Sequence, residues 1–332
     1  MTTTPVNNTA LVTPTSMTTT LITTPTFSRY SPEPWQILER AGAGPLRPYE
    51  DEALPADELL KRIPDIDALI VGMDPVTADV IDAADRLKVI AKHGVGVDTI
   101  DLDAAEARGI PVVCAPGSNS RAVAEFTFGL ILDAARRITE ANRRVADGEW
   151  PKLFGPELAG RTLAVIGFGR IGQLVAGYAR AFGMTVLAHD PYVGPQDISA
   201  LGARSAPLDD CLSRADVVSL HLPATPGAAP LLDHARLAAM KPGALLVNTA
   251  RGGLVDEAAL AALLEDGHLG GAALDAFAYE PLGESPLRRA PNVLLTPHMA
   301  ACGQDANRMM GAMVAEEVVR VLAGEPPQHP AP

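Results

Sequence analysis

Cysteine is scarce here: Cys114, Cys211 and Cys302 are the only three in 332 residues, lie far apart and form no CxxC. That excludes a disulfide framework and a cysteine-ligated zinc site. Reduced thiols are expected, with no metal and a cytoplasmic location. Long apolar runs are missing too. None approaches the roughly 18–20 residues that span a bilayer, so no membrane partner is expected. The amino end lacks a basic segment followed by an apolar core, so no secretory signal is expected. Lys and Arg nowhere cluster, and the net charge is −13, which disfavours a nucleic-acid partner. What is present suits a folded protein: 47% hydrophobic and 20% charged residues, in a chain long enough for two domains with separate cores.

Residues 1–26 are Thr-rich, and the part before Met17 has no periodic apolar face. Residues 1–16 are therefore expected to stay disordered. Translation from Met17 and a genuine tail remain alternatives. A first strand is expected at 19–24 and a helix at 34–41. Strands at 67–72, 87–91 and 111–114 follow, with helices at 77–84 and 102–108 between them. Strands alternating with helices imply a parallel sheet. A long helix is expected from 119 or 120 to about 146. Val123, Phe126, Phe128, Leu130 and Ile131 make it apolar on more than one face, as for a helix buried on several sides, against a second subunit for instance. Six further strands are expected at 163–166, 185–188, 216–220, 244–248, 271–274 and 292–295, which suits a doubly wound dinucleotide-binding sheet. Met309, Met313, Val314 and Val318 mark an amphipathic helix from about 304 to 322. The Pro-rich tail after Gly324 is expected to fray.

Gly167-Phe-Gly169-Arg170-Ile171-Gly172 follows an apolar strand and opens a helix with Ile171, Val175, Tyr178 and Phe182 on one face. Asp190 ends the next strand, 18 residues after Gly172. This is the full context of a dinucleotide fingerprint. Gly167 allows the tight turn, Gly169 lets backbone approach a pyrophosphate, and Gly172 lets helix and strand pack. The helix N-terminus offers free N–H groups to phosphates. Asp190 can accept from ribose hydroxyls and would repel a 2′-phosphate, so the cofactor expected is NAD rather than NADP. His221, at the end of a later strand, is a candidate for the adenine pocket.

Two further residues stand at strand ends of the same sheet, where ligands of such sheets bind. Arg251 follows the strand at 244–248, and its guanidinium fork can hold a carboxylate through two parallel hydrogen bonds. His298 follows the last strand, and an imidazole suits proton transfer to and from an alcohol.

Ordered motifs join these residues: Lys92-His-Gly-Val-Gly-Val-Asp98, Asn119-Ser-Arg-Ala-Val-Ala-Glu125, the glycine fingerprint, Asn248-Thr-Ala-Arg-Gly-Gly253, Ala273-Leu-Asp275, Glu280-Pro281 and Thr296-Pro-His298. The set resembles the D-isomer-specific 2-hydroxyacid dehydrogenases, most nearly their phosphoglycerate dehydrogenase-like branch, over nearly the whole chain. The resemblance implies an α/β fold with a Rossmann-type NAD-binding domain (118–298) inserted into a smaller flavodoxin-like substrate domain (17–117 and 299–332), and a homodimer. It implies that Arg251, Glu280 and His298 are catalytic, with Glu280 pairing to the imidazole and favouring its protonated form. It makes Asp275 the holder of the nicotinamide carboxamide. Val95 and Gly96 become substrate-carboxylate N–H donors beside Arg251 and His298. Arg170, Ile171, Thr249, Val95 and His298 join the cofactor's surroundings.

The activity implied is hydride transfer between NAD(H) and a small D-2-hydroxy or 2-oxo acid. The acid itself stays open. A phospho- or phosphono-hydroxy acid such as 3-phosphoglycerate needs distal cations, for which Arg29, Lys92 and Arg121 are candidates, yet Asp74 stands where phosphoglycerate enzymes often carry Arg. The alternative is an NAD-sensing transcriptional corepressor of the same fold.

Overall fold

The computed structural model describes residues 18–47, 56–225 and 227–331; the expectation for residues 1–16 lies outside them. In chain order the elements are β1 (Thr20–Ile22), α1 (Glu33–Arg40), β2 (Pro45–Leu46), α2 (Ala56–Arg62), β3 (Ala68–Val71), α3 (Ala78–Asp82), β4 (Val89–Lys92), α4 (Leu102–Ala107) and β5 (Val112–Val113). Then come α5 (Ser120–Arg136), α6 (Ile138–Ala146), β6 (Thr162–Ile166), α7 (Arg170–Ala181), β7 (Thr185–His189), α8 (Pro195–Ala200), β8 (Arg204–Ser205) and α9 (Leu208–Arg214). The last are β9 (Val217–Leu220), α10 (His234–Ala238), β10 (Leu245–Asn248), α11 (Glu257–Glu265), β11 (Gly271–Leu274), β12 (Val293–Leu295) and α12 (Gln304–Leu322).

The chain divides into two compact units: residues up to Ser118 with Gln304 onward, and Asn119–Gly303. The first is built on a parallel sheet of order β2-β1-β3-β4-β5. Apart from the edge strand β2, its strands are buried on both faces, so they read as largely apolar runs. Leu69, Val71 and Ile90 point into one core with Leu59, Val80, Ile81 and Ala105 from α2, α3 and α4. Ala68, Ile70, Val89 and Ala91 alternate to the other face, where α1 and α12 bring Leu38, Met310, Val314 and Val318.

The second unit carries a seven-stranded parallel sheet of order β12-β11-β10-β9-β6-β7-β8. Its strands alternate in the same way: Leu163 and Val165 face α5 and α7, while Ala164 and Ile166 face the cluster of α9, α10 and α11. The chain order reverses between β6 and β9, so the loops after these two strands flank a topological switch point.

Four expectations change. The helix expected to run to about 146 is broken at Arg137, which adopts φ 54°, ψ 43°. The Asp133 carboxylate supports the break: it accepts Thr139 N–H at 2.8 Å and the Thr139 hydroxyl, which takes Thr139 N–H out of the α5 ladder, and α6 starts afresh. The sheet gains a seventh strand, β8, whose two residues are both exposed and so leave no apolar pattern. The tail does not fray. Ala331 N–H donates to Val112 O (2.7 Å) and Cys114 N–H to His329 O (3.1 Å), covering the open edge of β5. The buried Glu317 carboxylate holds this segment by accepting the N–H groups of Gln328 and His329. Finally, Met299 and Ala300 stay with the second unit rather than starting the return to the first.

Candidate active site

β10, β11 and β12 are neighbours, and the loops leaving their carboxyl ends carry Arg251, Glu280 and His298. The loop after β10 is shaped by Asn248, whose amide donates to Arg251 O (2.8 Å) and whose carbonyl accepts Ala250 N–H (3.0 Å). Arg251 Nη1 donates to Ala250 O at 2.8 Å. Gly252 packs directly on the next loop: a Cβ there would lie 1.8 Å from the Phe277 carbonyl carbon. Only glycine permits that approach, which sets Arg251 beside the segment leading to Glu280.

Glu280 accepts Phe277 N–H on Oε1 (3.0 Å) and meets His298 Nδ1 with Oε2 (2.7 Å). Burial alone would raise its pKa. The His298 hydrogen bond, the Phe277 N–H and the charges of His298 and Arg251 outweigh burial and hold the carboxyl below its ordinary value. His298 itself has φ 51°, a left-handed conformation that costs a non-glycine residue about 1–3 kcal/mol unless its surroundings enforce it. With Nδ1 engaged by Glu280, Nε2 is the nitrogen left to face a ligand. The arrangement can thus hold a proton on Nε2 next to a guanidinium, which is what transfer to the oxygen of a bound carboxylic acid's neighbouring carbonyl requires.

The glycine fingerprint lies after β6, at the switch point. Gly167 has φ 94°, and a Cβ there would meet His221 O at 2.4 Å. On Gly172 it would meet Gly167 O at 2.2 Å, whereas on Gly169 it would meet nothing within 4 Å. The first turn of α7, from Arg170 and Ile171, has no side-chain cap. Open space above Gly169 and an uncapped helix start fit the pyrophosphate of a dinucleotide. Asp190 ends just past β7, as a ribose partner should. It also clamps the two loops together, accepting Phe168 N–H (2.7 Å) on Oδ2 and Tyr192 and Val193 N–H (2.8 and 3.2 Å) on Oδ1.

His221 follows β9, its Nε2 2.8 Å from Ser219 Oγ; burial of the ring pushes its pKa down to about 3, so it is neutral at physiological pH. Thr249 pairs its hydroxyl with that of Thr127 on α5 at 2.7 Å. Asp275 follows β11, buried, with Thr296, Met299 and Ala300 as donors. Val95 and Gly96 belong to the first unit, in the loop after β4, with Val95 exposed. The Phe277 N–H and the Asp275 contacts escaped sequence reasoning. Thr296 at least stood in the Thr-Pro-His motif, but its partner 21 residues away did not announce itself.

Among the described residues no His, Cys, Asp and Glu cluster could hold a metal, and no helix is long and apolar enough to cross a membrane.

Comparison with known proteins places the chain in a family. The model of the D-isomer specific 2-hydroxyacid dehydrogenase NAD binding domain matches residues 128–300, within the second unit. The chain is 48% identical over 272 residues to the D-3-phosphoglycerate dehydrogenase of Mycobacterium tuberculosis, covering 81% of this chain and 52% of that protein. It thus spans about half the length of the curated relatives it matches. A Thermus thermophilus protein of known crystal structure superposes with a TM-score of 0.86 at 40% identity, covering 95% of this chain and 100% of its own. Aquifex aeolicus D-lactate dehydrogenase, solved with NAD and lactic acid, gives a TM-score of 0.80 at 29% identity, over 92% of this chain and 96% of its own. With the family model matching residues 128–300, more than half of the chain, and a 40% identical structure superposing over 95% of it, the chain belongs to the D-isomer specific 2-hydroxyacid dehydrogenase family.

Proposed function

We propose that this chain is an NAD-dependent D-2-hydroxyacid dehydrogenase acting on a small 2-hydroxy or 2-oxo acid. The observation that carries the reading is the 2.7 Å contact of Glu280 with His298, made beside Arg251 at three adjacent strand ends. NAD, when bound, supplies or takes up the hydride. The protein's part is to bind, orient and move a proton. Arg251 holds the substrate carboxylate and draws electron density from the neighbouring carbonyl. His298 gives its Nε2 proton to the oxygen in reduction and removes it in oxidation. Glu280 keeps Nδ1 as the donor and compensates the imidazolium charge. Asp190 favours NAD through the ribose hydroxyls, with Gly167, Gly169, Arg170, Ile171, Gly172, His221, Thr249 and Asp275 around the cofactor.

The first unit is the substrate domain in this reading, with Val95 and Gly96 as its own candidate substrate contacts. Its relatives' names make 3-phosphoglycerate the first substrate to test and D-lactate the second. A homodimer is supported by the exposed apolar side chains of Ile138, Val145, Trp150 (78%) and Phe154 (87%) on and after α6. The acidic balance speaks against a nucleic-acid partner, and the few scattered cysteines support a reducing, cytoplasmic setting.

The test is NADH oxidation over a panel of 2-oxo acids, 3-phosphohydroxypyruvate and pyruvate included. Turnover of at least one, with saturation, is expected. Intact NADH binding with no turnover of any would overturn the enzyme reading in favour of an NAD-sensing corepressor.

A further inference from the structure

We propose that Asp275 is a positioning residue that aims His298, by fastening the chain on both sides of it to one buried carboxylate. The proposal rests on the dehydrogenase reading of His298 given above.

Asp275 is 1% exposed and sits one residue past β11, where its N–H donates to Asn248 O at the end of β10. Its backbone is therefore fixed by the sheet. Its carboxylate looks across to the loop after β12. Oδ1 accepts the Thr296 hydroxyl at 2.6 Å and Met299 N–H at 2.9 Å, and Oδ2 accepts Ala300 N–H at 2.8 Å. These donors lie two residues before His298 and one and two residues after it. Between them His298 turns through φ 51°, its own N–H donating to Thr296 O at 3.0 Å over Pro297.

A left-handed residue carrying a Cβ relaxes toward ordinary backbone unless both flanks are held. Here a single buried anion holds both. The backbone angle in turn sets the direction in which the ring leaves the chain, and hence the Nδ1 contact with Glu280. Three donors already address the carboxylate from this loop, so its principal duty is to the loop. Duty to a nicotinamide carboxamide, the role implied by resemblance, is secondary.

Two variants separate the roles. Asp275→Asn keeps the shape but turns an acceptor into an NH₂ group facing N–H donors. Thr296→Val removes one donor and leaves Asp275 itself intact. Three readouts are compared: kcat and KM for the best 2-oxo acid, the NADH Kd from fluorescence, and the downfield proton NMR signal of the His298 Nδ1–H, identified by its absence in His298→Ala.

For Asp275→Asn we expect kcat to fall by about 10²-fold, as for a misplaced catalytic group. KM and NADH Kd should stay within about threefold, and the downfield signal should be lost. Thr296→Val should shift the signal and lower kcat by about three- to tenfold, the loss of one supporting hydrogen bond. The proposal is overturned if both variants keep the wild-type signal, or if Asp275→Asn weakens NADH binding more than tenfold while the signal stays. If Asp275→Asn does not fold, Thr296→Val decides alone by the same signal. The NMR readout needs no turnover, so an inactive wild type would refute the dehydrogenase reading while the aiming of His298 was still measured.

Discussion

Glu280→Gln is the most demanding substitution for the proposed mechanism. Both carboxylate oxygens face N–H donors: Oε1 takes Phe277 N–H and Oε2 takes His298 Nδ1. A glutamine has one carbonyl oxygen for two donors. Its NH₂ must either confront Phe277 N–H, stranding a part-buried donor at a cost of about 1–3 kcal/mol, or turn to Nδ1 and force the other tautomer. The charge is lost as well. Unit charges about 4 Å apart attract by about 4 kcal/mol at an effective dielectric of 20. Side-chain exposures of 34% for His298 and 26% for Glu280 discount this to about 1–2 kcal/mol through solvent screening. The lost charge alone predicts a fall of roughly 5- to 30-fold in kcat for ketone reduction, at about 1.36 kcal/mol per decade, while the stranded donor lowers the stability of the fold. The assay is NADH oxidation at saturating substrate across pH, with deuterated NADH to establish that hydride transfer limits the rate. A variant with kcat within about threefold of wild type at every pH, while showing a full isotope effect, would refute the role given to this carboxylate.

The same group predicts a stability effect of known sign. Glu280 is held below its ordinary 4.5, so the stability it adds is fully present above that value and is lost as pH falls through the folded-state value; the Tm gap between wild type and Glu280→Gln should be constant near neutrality and close only below 4.5. His298→Ala should lose about 10²–10⁴ in kcat with NADH affinity retained by fluorescence titration. Arg251→Lys should mainly raise KM for the 2-oxo acid, because an ammonium cannot make the two-pronged contact; an unchanged KM would place the carboxylate elsewhere. Asp190→Ser should narrow the preference for NADH over NADPH and also lower Tm, since the N–H groups of Phe168, Tyr192 and Val193 lose their acceptor. Gly172→Ala drives a Cβ to within 2.2 Å of a carbonyl oxygen and should cost about 1–3 kcal/mol by calorimetry, whereas Gly177→Ala on the same helix meets nothing within 4 Å and should not destabilise.

The sequence alone determined what depends on near neighbours. Largely apolar runs marked the buried parallel strands, because both faces of each sheet are covered. The glycine fingerprint and Asp190 were legible because a strand, a turn and a helix start constrain residues within one βα unit. Arg251 and His298 were legible as strand-end residues. Tertiary structure decided whatever depends on pairing across the fold. The break at Arg137 is supported by Asp133 outbidding the helix for Thr139, where apolar periodicity alone pointed to continuation. The two exposed residues of β8 had no pattern to show, and the tail's attachment to β5 spans more than two hundred residues of chain. Above all, Glu280 and Asp275 become the two supports of His298 only because parallel pairing of β11 with β12 brings the ends of those strands side by side. Motif order can place such residues in one family. Which oxygen meets which donor is set by strand register and by the left-handed turn at His298, and neither is written in local composition.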